Sequence, residues 1–201
     1  MCGHVPAAAA VIVTLKALRT QGGSPDGPLD LGFPNLARHH DNLKRWGVTP
    51  VIALNRFPGD QDDELQQVLT FCRTLGAEAS ICEGYTKGGE GMQDLARKIV
   101  AAAAASDPGT VKPIYKNDDS LVDKITTVAT TVYGAKDVSF KPAAKSRLEK
   151  LQSLGYGTLP VCIAKTQYSF TDDPKQVGAP VGWTLTISDV SLSAGSSNVR
   201  A

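Results

Sequence analysis

The strongest constraint on the fold is an alternation of short apolar runs with longer amphipathic stretches in the first half of the chain. The first two runs are apolar at successive positions, which is typical of strands that are covered on both faces. Gly47 and Gly76 predict helix ends. Strands are predicted at residues 11–15, 50–55 and 78–82, and helices at residues 35–46, 64–75 and 94–105. This order predicts a parallel sheet with covering helices.

The second half of the chain begins after a natural break, Ser106-Asp107-Pro108-Gly109. We therefore expect a parallel α/β segment over residues 1–108 and a smaller mixed α/β segment over residues 109–201. Helices are predicted at residues 121–133 and 143–154, and strands at residues 159–164 and 184–188. The predicted fold class is α/β.

Charge and hydropathy exclude several partners. The formal charge is +1, with 42% hydrophobic and 20% charged residues, so no strong field favours nucleic acid or an anionic membrane. The apolar stretch at residues 6–15 is too short to cross a bilayer. It also lacks the basic region and small-residue cleavage site of a signal peptide, and a buried strand is the better interpretation.

The cysteines point to free thiols. Cys2, Cys72, Cys82 and Cys162 have no C-x-x-C spacing, and only three histidines accompany them. This pattern favours neither a metal site nor a disulfide framework. We expect a reducing, cytoplasmic location.

Two loops that follow consecutive predicted strands form the candidate site. Asn55-Arg56-Phe57-Pro58 follows the second strand, and a glycine-rich loop that starts near Tyr85 follows the third. Ligands of parallel sheets collect beyond the carboxyl ends of the strands. If the two strands are neighbours, Phe57 and Tyr85 share a rim and can sandwich a flat heterocycle. Pro58 would stiffen the first loop, and the glycines would let the backbone approach a ligand.

Each of these features has a plainer alternative. Phe57 can be a plug under its loop, and Lys87-Gly88-Gly89-Glu90-Gly91 can be a flexible connection, since it lacks the residue order of a phosphate loop. The glycine-rich residues 22–28 and the polar residues 165–170 are equally explained as a loop and a turn. No catalytic triad, carboxylate pair or metal-ligand pattern is present, so no catalytic residue is assigned. Residue types alone predict an α/β protein with a cleft.

Five sequence blocks carry a resemblance to a known family. They are LKALR followed by GG from residue 15, VIALNRFP from residue 51, KGGEG from residue 87, VYGAKDV from residue 132 and LPVCIAKTQYSFTDDP from residue 159. In this order they resemble the formate–tetrahydrofolate ligases. That family joins formate to tetrahydrofolate at the expense of ATP through a formyl-phosphate intermediate. The resemblance covers nearly the whole chain.

The resemblance implies a folate site. Phe57 and Pro58 match the aromatic-proline wall of the family beside the pterin, and Ile81 matches an apolar neighbour. Tyr85 stands where the family usually has tryptophan, and its smaller ring implies weaker binding. Further candidates for the wall of the cleft, from the same two loops, are Asn55, Lys87, Gly88 and Gly89.

Other positions depart from the family pattern. Gln21 replaces a histidine, the loop over residues 23–33 is shortened, and the ending after residue 195 differs. The last departure implies that the segment over residues 109–201 is incomplete at its end. The phosphate loop of the family lies upstream of the matched region. The resemblance therefore implies a partial doubly wound, P-loop NTPase-like sheet without its phosphate-loop half. Without those phosphate-binding groups we expect a chain that is inactive alone.

The implied partners are small molecules, with neither nucleic acid nor a membrane among them. Tetrahydrofolate, formate and ATP are the family substrates, although most of the ATP site is expected to be missing from this chain. A homo-oligomer or a complementary N-terminal chain is the implied protein partner. Two alternatives stay open: a non-catalytic folate-binding remnant, or a subunit fragment of a split enzyme.

Overall fold

The computed structural model describes residues 5–164, 169–171, 173, 175–193 and 198–201. The chain divides into two compact units between Lys112 and Pro113. The short 3-10 helix Pro108–Thr110 precedes this point, and Thr110 Oγ1 donates a hydrogen bond of 3.1 Å to the Gly47 carbonyl. The boundary that the sequence places after residue 108 stays a prediction.

The first unit alternates strands and helices as predicted. Its strands are β1 (Ala9–Val13), β2 (Pro50–Asn55) and β3 (Glu78–Cys82). Its helices are α1 (Leu15–Gln21), α2 (Phe33–Arg45), α3 (Asp62–Thr74), α4 (Gly84–Lys87) and α5 (Gln93–Ala104), with 3-10 turns at Leu29–Gly32 and Glu90–Met92. The predicted bounds of β2 and β3 are confirmed. The short helices α1 and α4 were not predicted.

The three strands form a parallel sheet in the order β1-β2-β3. Ile52 and Leu54 of β2 pack on one face with residues of α1, α2 and α3, and Val51 and Ala53 pack on the other face with Leu95 of α5. Because successive side chains of β2 point to opposite faces of the sheet, its apolar residues contribute to two separate cores, one on each face. The coarse prediction of an α/β fold with a parallel sheet is confirmed.

The prediction for the first strand is wrong in two respects. The strand ends at Val13, because Thr14 accepts a hydrogen bond of 2.9 Å from the Ala17 N–H and so caps α1. Leu15 is consequently helical. The strand is also not covered on both faces: Ile12 is 69% exposed, since α5 packs on β2 and β3 and leaves this part of β1 open.

The second unit is also mixed α/β. Its helices are α6 (Leu121–Val128), which continues as a π-helix over Ala129–Tyr133, and α7 (Pro142–Ser153). Its strands are β4 (Asp137–Phe140), β5 (Val161–Cys162), β6 (Thr184–Ile187), β7 (Ser191–Ser193) and β8 (Asn198–Arg200), with a 3-10 turn at Tyr156–Thr158. The predicted strand at residues 159–164 is much shorter in the structure, and β4, β7 and β8 were not predicted.

Strand pairing in the second unit joins distant parts of the chain. β4 pairs with β6 in parallel, and β8 lies between β5 and β7. The core that these sheets share with α6 and α7 includes Ile125, Leu148, Trp183 and Val199. Within the described part of the chain, no helix is long and apolar enough to cross a membrane.

Candidate functional site

The two predicted loops lie side by side at the carboxyl edge of the first sheet. Leu54 pairs with Ile81 and Asn55 with Cys82, so β2 and β3 end at the same level. The first residue after β2 stays beside the end of β3, because the Arg56 N–H donates a hydrogen bond of 3.0 Å to the Cys82 carbonyl. Neighbouring strands lie about 4.8 Å apart, which places the loops after β2 and β3 next to each other. The prediction that both aromatic loops share one rim is thereby confirmed for their backbones.

A tight turn presents the first aromatic ring. The Phe57 N–H donates to Asp60 Oδ2 at 2.8 Å, and the Asp60 N–H donates to the Phe57 carbonyl at 3.1 Å. Gly59 allows the turn through its φ of 97°. These bonds fix the backbone of residues 57–60 while the Phe57 ring remains 53% exposed. The interpretation of Phe57 as a plug under its loop is therefore wrong.

The second loop is closed at its base by a backbone hydrogen bond of 3.1 Å from the Glu83 N–H to the Gly91 carbonyl. Gly91 must be glycine, since a Cβ there would lie 2.6 Å from the Glu83 carbonyl oxygen. Gly88 ends α4 with φ 57° and ψ −139°, a conformation that favours glycine. The loop is thus a built structure rather than a loose connection, and it holds Tyr85 at 87% exposure.

The structure exposes six of the eight residues that the sequence analysis assigned to the site. Asn55 and Ile81 are half-buried at the strand ends, and Ile81 packs towards the core of α1, α2 and α3. The six exposed residues are Phe57, Pro58, Tyr85, Lys87, Gly88 and Gly89. In the described part of the chain, Phe57 and Tyr85 do not stack on each other; the stacked pair is Phe33 and Phe71, whose centroids are 4.2 Å apart. The assignment of these eight residues to a ligand stays a proposal.

A charged cluster that the sequence analysis missed lies between the two loops. It consists of Arg56, Asp62, Glu83 and Lys87. Arg56 Nη2 lies 2.7 Å from Asp62 Oδ1 and Arg56 Nη1 lies 3.7 Å from Glu83 Oε1, while Lys87 Nζ donates to Glu83 Oε2 at 2.6 Å. The hydrogen bond from Lys87, together with the charges of Lys87 and Arg56, lowers the pKa of Glu83. The spacing of Glu83 and Lys87, one helical turn apart, was the available sequence signal.

The sequence also singled out residues 165–170 and residues 22–28. Of the polar residues 165–170, those from 165 to 168 lie outside the described residues. The loop over residues 22–28 is held by Arg19, whose Nη1 donates to the Gly27 carbonyl at 2.9 Å. Among the described residues, no group of His, Cys, Asp and Glu side chains is arranged to hold a metal ion.

Comparison with known proteins places these features in a family. A family model described as formate–tetrahydrofolate ligase matches residues 1–201. The chain is 42% identical over 202 residues to the formate–tetrahydrofolate ligase of Methylobacterium nodulans, a match that covers 96% of this chain and 36% of the relative. It is 40% identical over 209 residues to the formate–tetrahydrofolate ligase of Paracoccus denitrificans, covering 100% of this chain and 37% of the relative. The chain thus spans about a third of the length of these relatives.

Proposed function

Since the chain belongs to the formate–tetrahydrofolate ligase family, we propose that it carries the tetrahydrofolate-binding part of an ATP-dependent carbon–nitrogen ligase. The reaction converts ATP, formate and tetrahydrofolate into 10-formyltetrahydrofolate, ADP and phosphate. The observation that supports the proposal is the pair of exposed rings, Phe57 and Tyr85, on adjacent carboxyl-edge loops. The residues that bind the folate are Phe57, Pro58, Ile81 and Tyr85, with Asn55, Lys87, Gly88 and Gly89 in the wall of the cleft.

Spacing and exposure support stacking of the pterin between the two rings. A flat ring in contact on both faces needs about 7 Å between its neighbours, two contact distances of about 3.5 Å. Adjacent strands start their loops about 4.8 Å apart, so a modest divergence of the two loops produces that gap. Phe57 and Tyr85 are exposed in the free chain and gain apolar contact when a ring enters.

The finer architecture and the partners belong to the same proposal. The three-stranded sheet, with helices on both faces, forms part of a doubly wound, P-loop NTPase-like sheet, and the domain division falls after residue 108. Formate and ATP are the co-substrates, and a homo-oligomer or a complementary N-terminal chain is the protein partner. The protein acts in the cytoplasm, which agrees with the buried free thiols of Cys72 and Cys82.

Binding measurements on single variants test the proposal. Titration of the purified chain with tetrahydrofolate, followed calorimetrically, should give saturable binding that weakens about tenfold in Phe57→Ala and in Tyr85→Ala, as expected for loss of one stacking face. Tyr156→Ala is the matched control, because Tyr156 is a partly exposed tyrosine of the second unit. Absence of saturable binding, or equal affinities in all four proteins, contradicts the proposal.

Turnover is a separate measurement on the same preparations. With ATP and formate added, formation of 10-formyltetrahydrofolate by the chain alone contradicts the expectation that the chain is inactive by itself. Folate binding without turnover supports a binding part that needs further protein for catalysis.

A further inference from the structure

The two aromatic loops are joined by side chains as well as by backbone. Arg56 directly precedes Phe57, and Glu83 lies two residues before Tyr85. The Arg56 guanidinium reaches Glu83 at 3.7 Å on one side and Asp62, the first residue of α3, at 2.7 Å on the other. Glu83 in turn accepts the hydrogen bond from Lys87, at the last residue of α4. The charged cluster therefore connects the start of α3, the Phe57 turn and the Tyr85 loop.

Glu83 lies at the centre of this cluster, where both its carboxylate and its backbone bind neighbouring groups. Its carboxylate faces Arg56 and Lys87, its N–H closes the loop onto Gly91, and its carbonyl accepts the N–H groups of Thr86 and Lys87. The Glu83 side chain is 24% exposed and that of Arg56 is 34% exposed, so water screens this pair less than it screens a fully exposed one. A carboxylate with two cationic partners on two loops limits their relative movement.

We propose that Glu83 is a positioning residue that sets the gap between Phe57 and Tyr85 for the ring of the substrate. This inference rests on the proposed function. Both rings project from exposed loops, so packing against the core does not fix their separation. A stacking site has high affinity only if its two walls are already at the right separation. Without the negative charge, Arg56 keeps Asp62 and Lys87 loses its ionic partner, so the Phe57 turn stays tied to the base of the Tyr85 loop only by the backbone bond from the Arg56 N–H to the Cys82 carbonyl. Each loop then retains its own backbone hydrogen bonds, while their separation varies.

A double-mutant cycle separates positioning from a general loss of stability. Dissociation constants for tetrahydrofolate are measured for the chain, Glu83→Gln, Tyr85→Ala and the double variant. In the parent, Tyr85→Ala is expected to weaken binding about tenfold. In the Glu83→Gln background the same change is expected to cost only about twofold, because a ring that is not held in place contributes little to binding.

The matched control is Asp94→Asn. Asp94, like Glu83, is a carboxylate with a lowered pKa that pairs with a lysine four residues later, Lys98 at 2.9 Å. It lies on α5 and bonds Ser80 in the middle of β3, away from the loops. In the Asp94→Asn background, Tyr85→Ala should still weaken binding about tenfold.

The outcomes distinguish the two proposals. If the parent does not bind tetrahydrofolate, or Tyr85→Ala binds it as well as the parent does, the proposed function and this inference both fail. If Tyr85→Ala weakens binding by the same factor in the parent and in the Glu83→Gln background, compared at equal folded fraction, the positioning role alone is overturned. Arg56→Lys provides a second variant if Glu83→Gln does not fold: it keeps the charge but not the fork that spans both carboxylates, and it should reduce the effect of Tyr85→Ala in the same way.

Discussion

Lys124 in the second unit offers the sharpest test of how this unit is held together. The side chain is 0% exposed, and its ammonium donates to the carbonyls of Asn117, Gly157 and Leu159 at 2.7, 2.6 and 3.1 Å. The three donors of a lysine are thus matched to three acceptors. Burial lowers the pKa of Lys124, while the charges of Asp119 and Asp118 oppose that shift. The residue connects α6 to the chain before it and to the turn that leads into β5.

The cost of Lys124→Met follows from these bonds. Methionine keeps an unbranched chain of similar length, so packing changes little, but three carbonyls lose their donor. Hydrogen bonds to charged groups contribute about 1.5–3 kcal/mol each, and removal of the ammonium also relieves a desolvation penalty of several kcal/mol. The exposed Asn117 carbonyl regains a donor from water and adds little, while the relieved desolvation reduces the net loss to about 1.5 kcal/mol for each of the two partly buried carbonyls, Gly157 and Leu159. The expected loss of unfolding free energy is about 3 kcal/mol.

Urea unfolding followed by the fluorescence of Trp183 measures this loss. Trp183 is buried in the core of the second unit, and a Trp46→Phe background removes the other tryptophan. Lys145→Met is the control, because Lys145 is an exposed lysine of α7 in the same unit. An unfolding free energy for Lys124→Met within about 0.5 kcal/mol of that for Lys145→Met, the range of ordinary surface substitutions, would refute the reasoning.

Two further predictions concern the first unit. Gly89→Ala should leave stability unchanged or raise it by about 0.5 kcal/mol, since φ and ψ of −62° and −30° suit alanine and no atom lies within 4 Å of its Cβ. It should nevertheless weaken tetrahydrofolate binding in the titration if this open space belongs to the cleft; unchanged binding contradicts a role in the cleft wall. Asp94→Asn should reduce the dependence of unfolding free energy on pH in the acid range. The Ser80 hydroxyl and Lys98 lower the pKa of Asp94 below its usual value. The stabilisation from Asp94 is therefore fully present above the usual aspartate pKa and disappears as the pH falls through the lowered pKa. Identical acid-unfolding curves for Asp94→Asn and the parent contradict this.

Much of the first unit was predictable because its signals are local. β2 and β3 were predicted to the residue, since each strand begins within three residues of a predicted helix end, at Gly47 or Gly76. The sequence also predicted that Phe57 and Tyr85 leave neighbouring strands, because parallel strands end at one edge. It did not predict the short helix α1, whose start depends on the Thr14 cap within an apolar run.

The second unit was less predictable because its strands are short and their partners are distant. β4, with only four residues, is stabilised by pairing with β6, where Val138 lies beside Leu185. Such a strand has no strong periodicity of its own, and the pairing that stabilises it is not encoded locally. The same reason applies to β7 and β8.

Local periodicity, caps and short motifs were enough to infer the alternation of strands and helices, the α/β class, the family and the two loops that carry Phe57 and Tyr85. Which faces are covered, how short distant strands pair and which charges meet became visible only in the folded chain. Ile12 is exposed although its strand is apolar, and Glu83 meets Arg56 although 26 residues separate them along the chain. Both facts depend on which elements pack side by side, which no local pattern specifies.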